Sequence, residues 1–275
     1  MSINKVLYSF GLIIAAGYVW RFFDPGGLDR HRVRHALSVT VLYVFMPALA
    51  FGLVASTTVD RNFVLIPLVG TIVVFLCTAV AFALYTLTPW LKAIPRPAFG
   101  VMVLAATYGN VTYLGLPVIT EMLGPEQGHV AILYDQLAHT PLLLTFGVFI
   151  AAQYGGGRSR SLIESFKRVL RLPPLWGVAA GIAVRLGGVP IPTAFMDAAS
   201  LMGRAVIPIM TFTVGLALDF RDLRRIPIAL PALGIKLLLA PVLVWWIGAR
   251  LGLDGTVLKA VTIEGAMPVM LRLLF

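Results

Sequence analysis

The sequence predicts an all-α membrane protein made of two inverted five-helix repeats, each interrupted by a broken helix. Three observations carry that expectation. Apolar runs long enough to cross a bilayer follow one another through most of the 275 residues, of which 59% are hydrophobic and 12% charged. One run, beginning at Ala98, contains the stretch Leu104 to Ile119. There Gly109, Gly115 and Pro117 weaken or remove helix hydrogen bonds, while Asn110 and Thr112 bring polar atoms to bilayer depth. Finally, proline and glycine landmarks of the first half recur in the same order in the second.

A mean hydropathy of +0.91 is far too apolar for a soluble chain of this length. The net charge of +10, from 22 Lys and Arg against 12 Asp and Glu, could suit a nucleic-acid partner. The basic residues, however, sit in short loops between apolar runs and form no contiguous basic domain, which excludes that partner. A single cysteine, Cys77, lies inside an apolar run, so no disulfide frame or cysteine metal cluster is expected. Lys5 precedes the first apolar run, but no small-residue cleavage site clearly follows it. That run is therefore read as the first span rather than a signal peptide.

Nine spans are expected, at 4–22, 36–56, 63–87, 98–122, 130–154, 174–190, 195–218, 227–250 and 256–275. The domains follow as a first repeat over 1–154, a basic loop over 155–173 and a second repeat over 174–275. The loop opens on three glycines, carries Arg158, Arg160, Lys167, Arg168 and Arg171, and should hold a short amphipathic helix at the membrane surface. Basic residues concentrate in the odd-numbered loops, at Arg21, Arg30, Arg32, Arg34, Lys92, Arg96, the five just named, Arg221, Arg224 and Arg225. The other side holds only Lys5, Arg61, Arg185 and Arg250. By the positive-inside rule the odd loops are cytoplasmic and the N-terminus is outside, in what is expected to be a bacterial inner membrane.

The repeat is read from three matches. Pro47 in span two answers Pro208 in span seven, Pro67 with Gly70 answers Pro231 with Gly234, and Gly115 with Pro117 answers Gly265 with Pro268. An offset of five spans, an odd number, inverts one half relative to the other. Inverted repeats with interrupted helices in corresponding places describe a secondary transporter with its site near the midplane. Five spans per repeat predict a tenth, whereas the chain ends at Phe275, soon after Pro268.

Gly109-Asn110-Val-Thr-Tyr113-Leu-Gly115-Leu-Pro117 resembles the fourth-span motif of the auxin efflux carrier family, which includes plant PIN proteins and bacterial malate and malonate permeases. Glu264-Gly-Ala266-Met-Pro268 resembles that family's ninth-span motif. The resemblance runs along nearly the whole chain. It implies ten helices in two inverted repeats on a scaffold of the bile-acid symporter and NhaA kind, with two broken helices crossing at their prolines. It also implies movement of organic anions. The chain departs from the family at Thr112, where glycine is frequent, and in the missing tenth helix.

Polar residues in spans are costly and mark function by default. Asn110, with Thr112, Tyr113, Gly115 and Pro117 of the first break and Ala266, Met267 and Pro268 of the second, is expected to bind substrate; alternatively, Asn110 caps the broken helix. Lys236, some ten residues into span eight, is the counter-charge expected for an anionic solute. Arg204, in span seven, is a second candidate counter-charge, but it stands close to a span end and snorkelling to the interface is the favoured reading for it. Asp135 and His139 stand four apart, on one helical face, and suit a proton relay or a structural pair. Glu264 could take a proton or cation, or pair with Lys259 or Arg272. Half-helix N-termini at the two breaks would add positive potential and favour an anion. Trp20, Trp90, Trp245 and Trp246 fit interfacial belts.

The expected function is a permease or efflux carrier of small organic anions such as carboxylates, working by alternating access, with a coupling H⁺ or Na⁺ and no cofactor. The expected partners are that anion, the lipid bilayer and, as the protein partner left open, a second copy in a homodimer. A non-transporting scaffold is the alternative. An intramembrane enzyme is disfavoured, because no HExxH, GxSxG or paired-aspartate motif lies at span depth and four scattered histidines offer no ligand spacing.

Overall fold

In the computed structural model the chain is α-helical across the residues described, which are 3–88, 91, 94–155, 162–218 and 226–269. In chain order the helices are α1 (Ile3–Phe23), α2 (Arg30–Ser56), α3 (Asn62–Leu87), α4 (Arg96–Thr107), α5 (Val111–Leu123) and α6 (Pro125–Gly155). They continue with α7 (Leu162–Leu170), α8 (Pro173–Gly187), α9 (Thr193–Ala217), α10 (Pro227–Leu251) and α11 (Gly255–Gly265). Five of these, α2, α3, α6, α9 and α10, are long and apolar enough to span a bilayer. Read span four is two short helices, α4 and α5, with Tyr108, Gly109 and Asn110 between them. Read span nine is helical only to Gly265, and residues 270–275 lie outside those described. So do Trp90, Lys92, Arg158, Arg160, Arg221, Arg224, Arg225 and Arg272. The amphipathic helix expected in the central loop is α7, with Ile163, Phe166 and Leu170 exposed and Val169 buried.

Proline placement shapes these helices. A proline lacks an amide hydrogen and its ring clashes with the carbonyl four residues back, so the preceding turn widens. Wide turns at Val41–Phe45, Val111–Gly115, Asp135–His139 and Ile235–Leu239 each end two residues before a proline, respectively Pro47, Pro117, Pro141 and Pro241. In three of them the amide just after the turn reaches five residues back, Met46 to Val41, Thr140 to Asp135 and Ala240 to Ile235. A fifth wide turn, Leu143–Gly147, has no such proline.

The chain forms two compact units. One comprises Met1–Asp60, Thr112–Ile132 and Leu172–Arg221. In it α8 and α9 pack on α2, and α1 packs on α9. Backbone contact replaces side-chain interdigitation at these crossings. A Cβ on Gly177 would collide with the Pro47 carbonyl, and Gly17 and Gly215 abut directly across the α1–α9 contact. Small residues let membrane helices approach this closely, where dispersion rather than water exclusion must hold them.

The other unit comprises Arg61–Val111, Leu133–Arg171 and Asp222–Phe275. Here α4 packs on α3, on the last part of α6 and on α10, while α11 packs on α10. Phe82, Tyr85, Phe99 and Tyr154 form a ring cluster, and the Tyr85 hydroxyl donates to the Ile228 carbonyl at 2.8 Å. Thr78 and Thr107 join α3 to α4 through their hydroxyls at 3.1 Å. Arg61 donates to the Gly252 carbonyl. Large apolar side chains such as Val64, Phe75, Leu238, Trp245 and Trp246 are exposed, as lipid-facing helices require. Arg250 lies over the Trp246 ring at 5.6 Å, a pairing suited to the interface.

Candidate functional site

Two non-helical segments meet in the second unit. Tyr108 to Asn110 leave α4, and Met267 to Val269 follow α11; Gly109 and Val269 form an antiparallel bridge. The Asn110 amide donates to the Pro268 carbonyl at 2.7 Å. Glycine is required at 109 by this approach, because a Cβ there would lie 2.6 Å from Lys236 Cε and 2.7 Å from the Met267 carbonyl oxygen.

Three buried ionisable side chains close around the contact. His139 Nε2 accepts from the Gly109 amide at 3.0 Å, so a neutral imidazole carries its hydrogen on Nδ1, which has no partner among the described residues. Its ring stacks on Tyr134 and meets the edge of Tyr108, at centroid separations of 5.9 and 5.2 Å. Lys236, only 2% exposed, donates from Nζ to the Gly265 carbonyl at 3.0 Å, so its ammonium caps the C-terminal end of α11. Glu264 is fully buried, neither carboxyl oxygen has a hydrogen-bond partner among the described residues, and the charges of Asp135 and Lys236 both reach it. Lys259 is exposed on α11 and makes no pair with it, and Arg272 is outside the described residues. Asn110 is 6% exposed and its side-chain oxygen has no partner among the described residues.

The wide turn before Pro141 arranges part of this set. It buries Asp135, Gln136, Ala138 and His139 together near the middle of α6. The Asp135 carboxylate accepts from Gln136 Nε2 and Thr140 Oγ1, each at 2.8 Å, while His139 is engaged by Gly109. The two side chains are thus neighbours on one helix without bonding to each other through the imidazole. Pro141 and Thr140 were the legible signals for this turn.

The amides of Gly109 and Asn110 are occupied, by His139 Nε2 and the Pro268 carbonyl. The Lys236 ammonium brings a full positive charge to this contact. The second break presents a helix C-terminus among the described residues, not an N-terminus. Of the other residues read as substrate-binding, Ala266 is half-buried, Met267 buried and Pro268 exposed, all in the second unit. Thr112, Tyr113, Gly115 and Pro117 belong to the first unit, where Thr112, Gly115 and Pro117 are buried and Tyr113 half-buried. Tyr108, 0% exposed and with its hydroxyl unpartnered among the described residues, joins the site although the sequence marked it only as part of the break. Among the described residues no group of three His, Cys, Asp or Glu could hold a metal ion.

The pattern that defines the family described as "Membrane transport protein" matches residues 9–274. An "Uncharacterized transporter" of Methanothermobacter thermautotrophicus is 27% identical over 98% of this chain and 85% of its own length. An "Uncharacterized transporter" of Methanocaldococcus jannaschii is 24% identical over 94% of this chain and 82% of its own length. A protein of Rhizobium meliloti named "Putative malonate transporter" is 27% identical over 87% of this chain and 74% of its own length.

Proposed function

The chain belongs to the membrane transport protein family, that of the auxin efflux carriers, as a multi-pass integral membrane protein and not an enzyme, and from this premise we propose that it moves small organic anions by alternating access. The observation that carries the reading is the contact of two non-helical segments around buried Asn110, His139, Lys236 and Glu264. Non-helical backbone at membrane depth is tolerated where it is enclosed by protein or lines a cavity, and ionisable groups there mark solute and ion pathways. Lys236 supplies the positive charge for a carboxylate, and Asn110 offers an amide beside it. Glu264, with Asp135 and His139 nearby, takes the coupling proton or Na⁺. The relative named for malonate supports a small dicarboxylate as cargo.

The matched prolines support two inverted repeats, over 1–154 and 174–275, joined by a basic cytoplasmic segment over 155–173, with the N-terminus outside and a bacterial inner membrane as the location. The substrate set extends to Thr112, Tyr113, Gly115 and Pro117 and to Ala266, Met267 and Pro268 as the walls of the breaks. A homodimer is the protein assembly consistent with the reading.

Purified protein in proteoliposomes should accumulate labelled malonate or malate, with pH and Na⁺ gradients imposed separately to identify the coupling ion. Failure across a panel of mono- and dicarboxylates would overturn the proposal. Asn110→Ala should cut uptake by about tenfold, the scale of one lost polar contact to a charged solute, without loss of insertion. Pro141→Ala restores an amide hydrogen to α6, lets the wide turn close and shifts His139 away from the register in which it meets the Gly109 amide. Uptake should fall by roughly tenfold or more while thermal stability holds or rises, because the helix gains a bond as the site loses its geometry. Retained uptake in Pro141→Ala would show that the wide turn is not needed.

A further inference from the structure

The closed contact in the second unit buries two hydrogen-bond donors that have no acceptor among the described residues. One is His139 Nδ1, which must carry a hydrogen because Nε2 accepts from the Gly109 amide at 3.0 Å. The other is the Tyr108 hydroxyl. A buried donor without an acceptor costs stability, and native structures hold few of them without a reason. Here the two stand on touching rings, Tyr108 0% and His139 3% exposed, with centroids 5.2 Å apart.

Both rings are held. Tyr134 stacks on the imidazole. The phenol lies against Gly147, where a Cβ would come within 3.3 Å of Tyr108 Cε2 and 3.5 Å of Cζ. Gly147 closes Leu143–Gly147, the wide turn of α6 that no proline explains, and such turns are frequent at functional sites. The cation is close by. Lys236 Nζ lies 3.0 Å from where a Cβ would stand on Gly109, the residue whose amide His139 holds. The ammonium and the imidazole Nε2 therefore flank one glycine, at most about 8.5 Å apart. A short dicarboxylate with a charge-assisted bond at either end can bridge that separation.

We propose, resting on the anion-transport reading above, that His139 Nδ1 and the Tyr108 hydroxyl receive the second carboxylate of a dicarboxylate whose first is held by Lys236. This donor pair selects dicarboxylates over monocarboxylates, because a site built to bond a polar group rejects the analogue that lacks it. Asp135 is engaged by Gln136 and Thr140, and the coupling ion cancels the charge of Glu264, which lowers the repulsion a second anionic group would meet. The donors become reachable when the two non-helical segments part, as alternating access requires.

The test uses the full chain in proteoliposomes, with labelled malonate and labelled propionate taken up separately. The competitor is monomethyl malonate, which keeps the malonate skeleton and loses one charge. In the parent, malonate should compete about 100-fold better than its half-ester, the scale of two lost bonds to a charged group. Tyr108→Phe should shrink that ratio by about tenfold. Because the hydroxyl it removes has no partner in the closed contact, this variant should melt no lower than the parent without solute, yet gain less from added malonate. His139→Gln, whose amide can accept from Gly109 and still donate, should keep more of the ratio than His139→Ala. The proposal is overturned if the half-ester competes as well as malonate in the parent, or if Tyr108→Phe keeps the parent's ratio; uptake of either anion would then leave the transport reading standing. Absence of uptake of every carboxylate overturns both.

Discussion

Gly109→Ala will leave the protein inserted but thermally weakened and unable to move solute. The added methyl would sit 2.6 Å from Lys236 Cε and 2.7 Å from the Met267 carbonyl oxygen. The lysine could swing aside, but the carbonyl belongs to the backbone that bonds Asn110 and faces Gly109 across the bridge. Either that bridge opens or the Asn110 to Pro268 bond is lost. Overpacking of this kind costs about 1–3 kcal/mol. Gly11→Ala is the matched control, because a Cβ there meets nothing within 4 Å. Unfolding followed by intrinsic fluorescence in detergent, with malonate uptake in proteoliposomes, distinguishes the two. Equal melting and equal uptake in both variants would mean that the close approach at Gly109 is dispensable.

Lys236→Met should weaken malonate binding by about 100-fold, roughly 3 kcal/mol, while the fold survives. Methionine keeps an unbranched apolar stem of similar reach, so packing against Gly109 is largely preserved. What disappears is the ammonium, and with it the donor to the Gly265 carbonyl and the positive charge that reaches Glu264. Lys236→Arg should not rescue, since the planar guanidinium is larger than the ammonium it replaces at a position already in contact with Gly109. Isothermal titration of detergent-purified protein with malonate reads the affinity directly. Unchanged affinity in Lys236→Met would remove Lys236 from the solute site and leave it only its structural bond.

The break at Tyr108 to Asn110 was legible because glycine and proline act locally: their backbone chemistry interrupts a helix whatever surrounds it. The choice of Lys236 over Arg204 as the charge beside that break also followed from the sequence, since a cation deep in an apolar run needs a reason to be there. Other parts were not legible. Asp135 and His139, four apart, imply one shared face at ordinary helical spacing. The turn before Pro141 is wider than that spacing, so Asp135 bonds Gln136 and Thr140 while His139 reaches Gly109 on another helix. Nor was it legible what the Gly109 and Asn110 amides of the first break would bond. Their partners, His139 and the Pro268 carbonyl, lie 30 and about 160 residues away in the chain, a separation that no local rule spans.

By itself the sequence determined a multi-span helical membrane protein, where its helices would weaken, and which polar residues would be carried into the bilayer. These follow from hydropathy and from backbone chemistry, which act residue by residue. Tertiary structure alone decided that Lys236 caps α11 and that Gly109 must lack a side chain. The physical reason is that a buried polar atom must find its partner wherever packing places one, and packing is a property of surfaces brought together, not of neighbours along the chain.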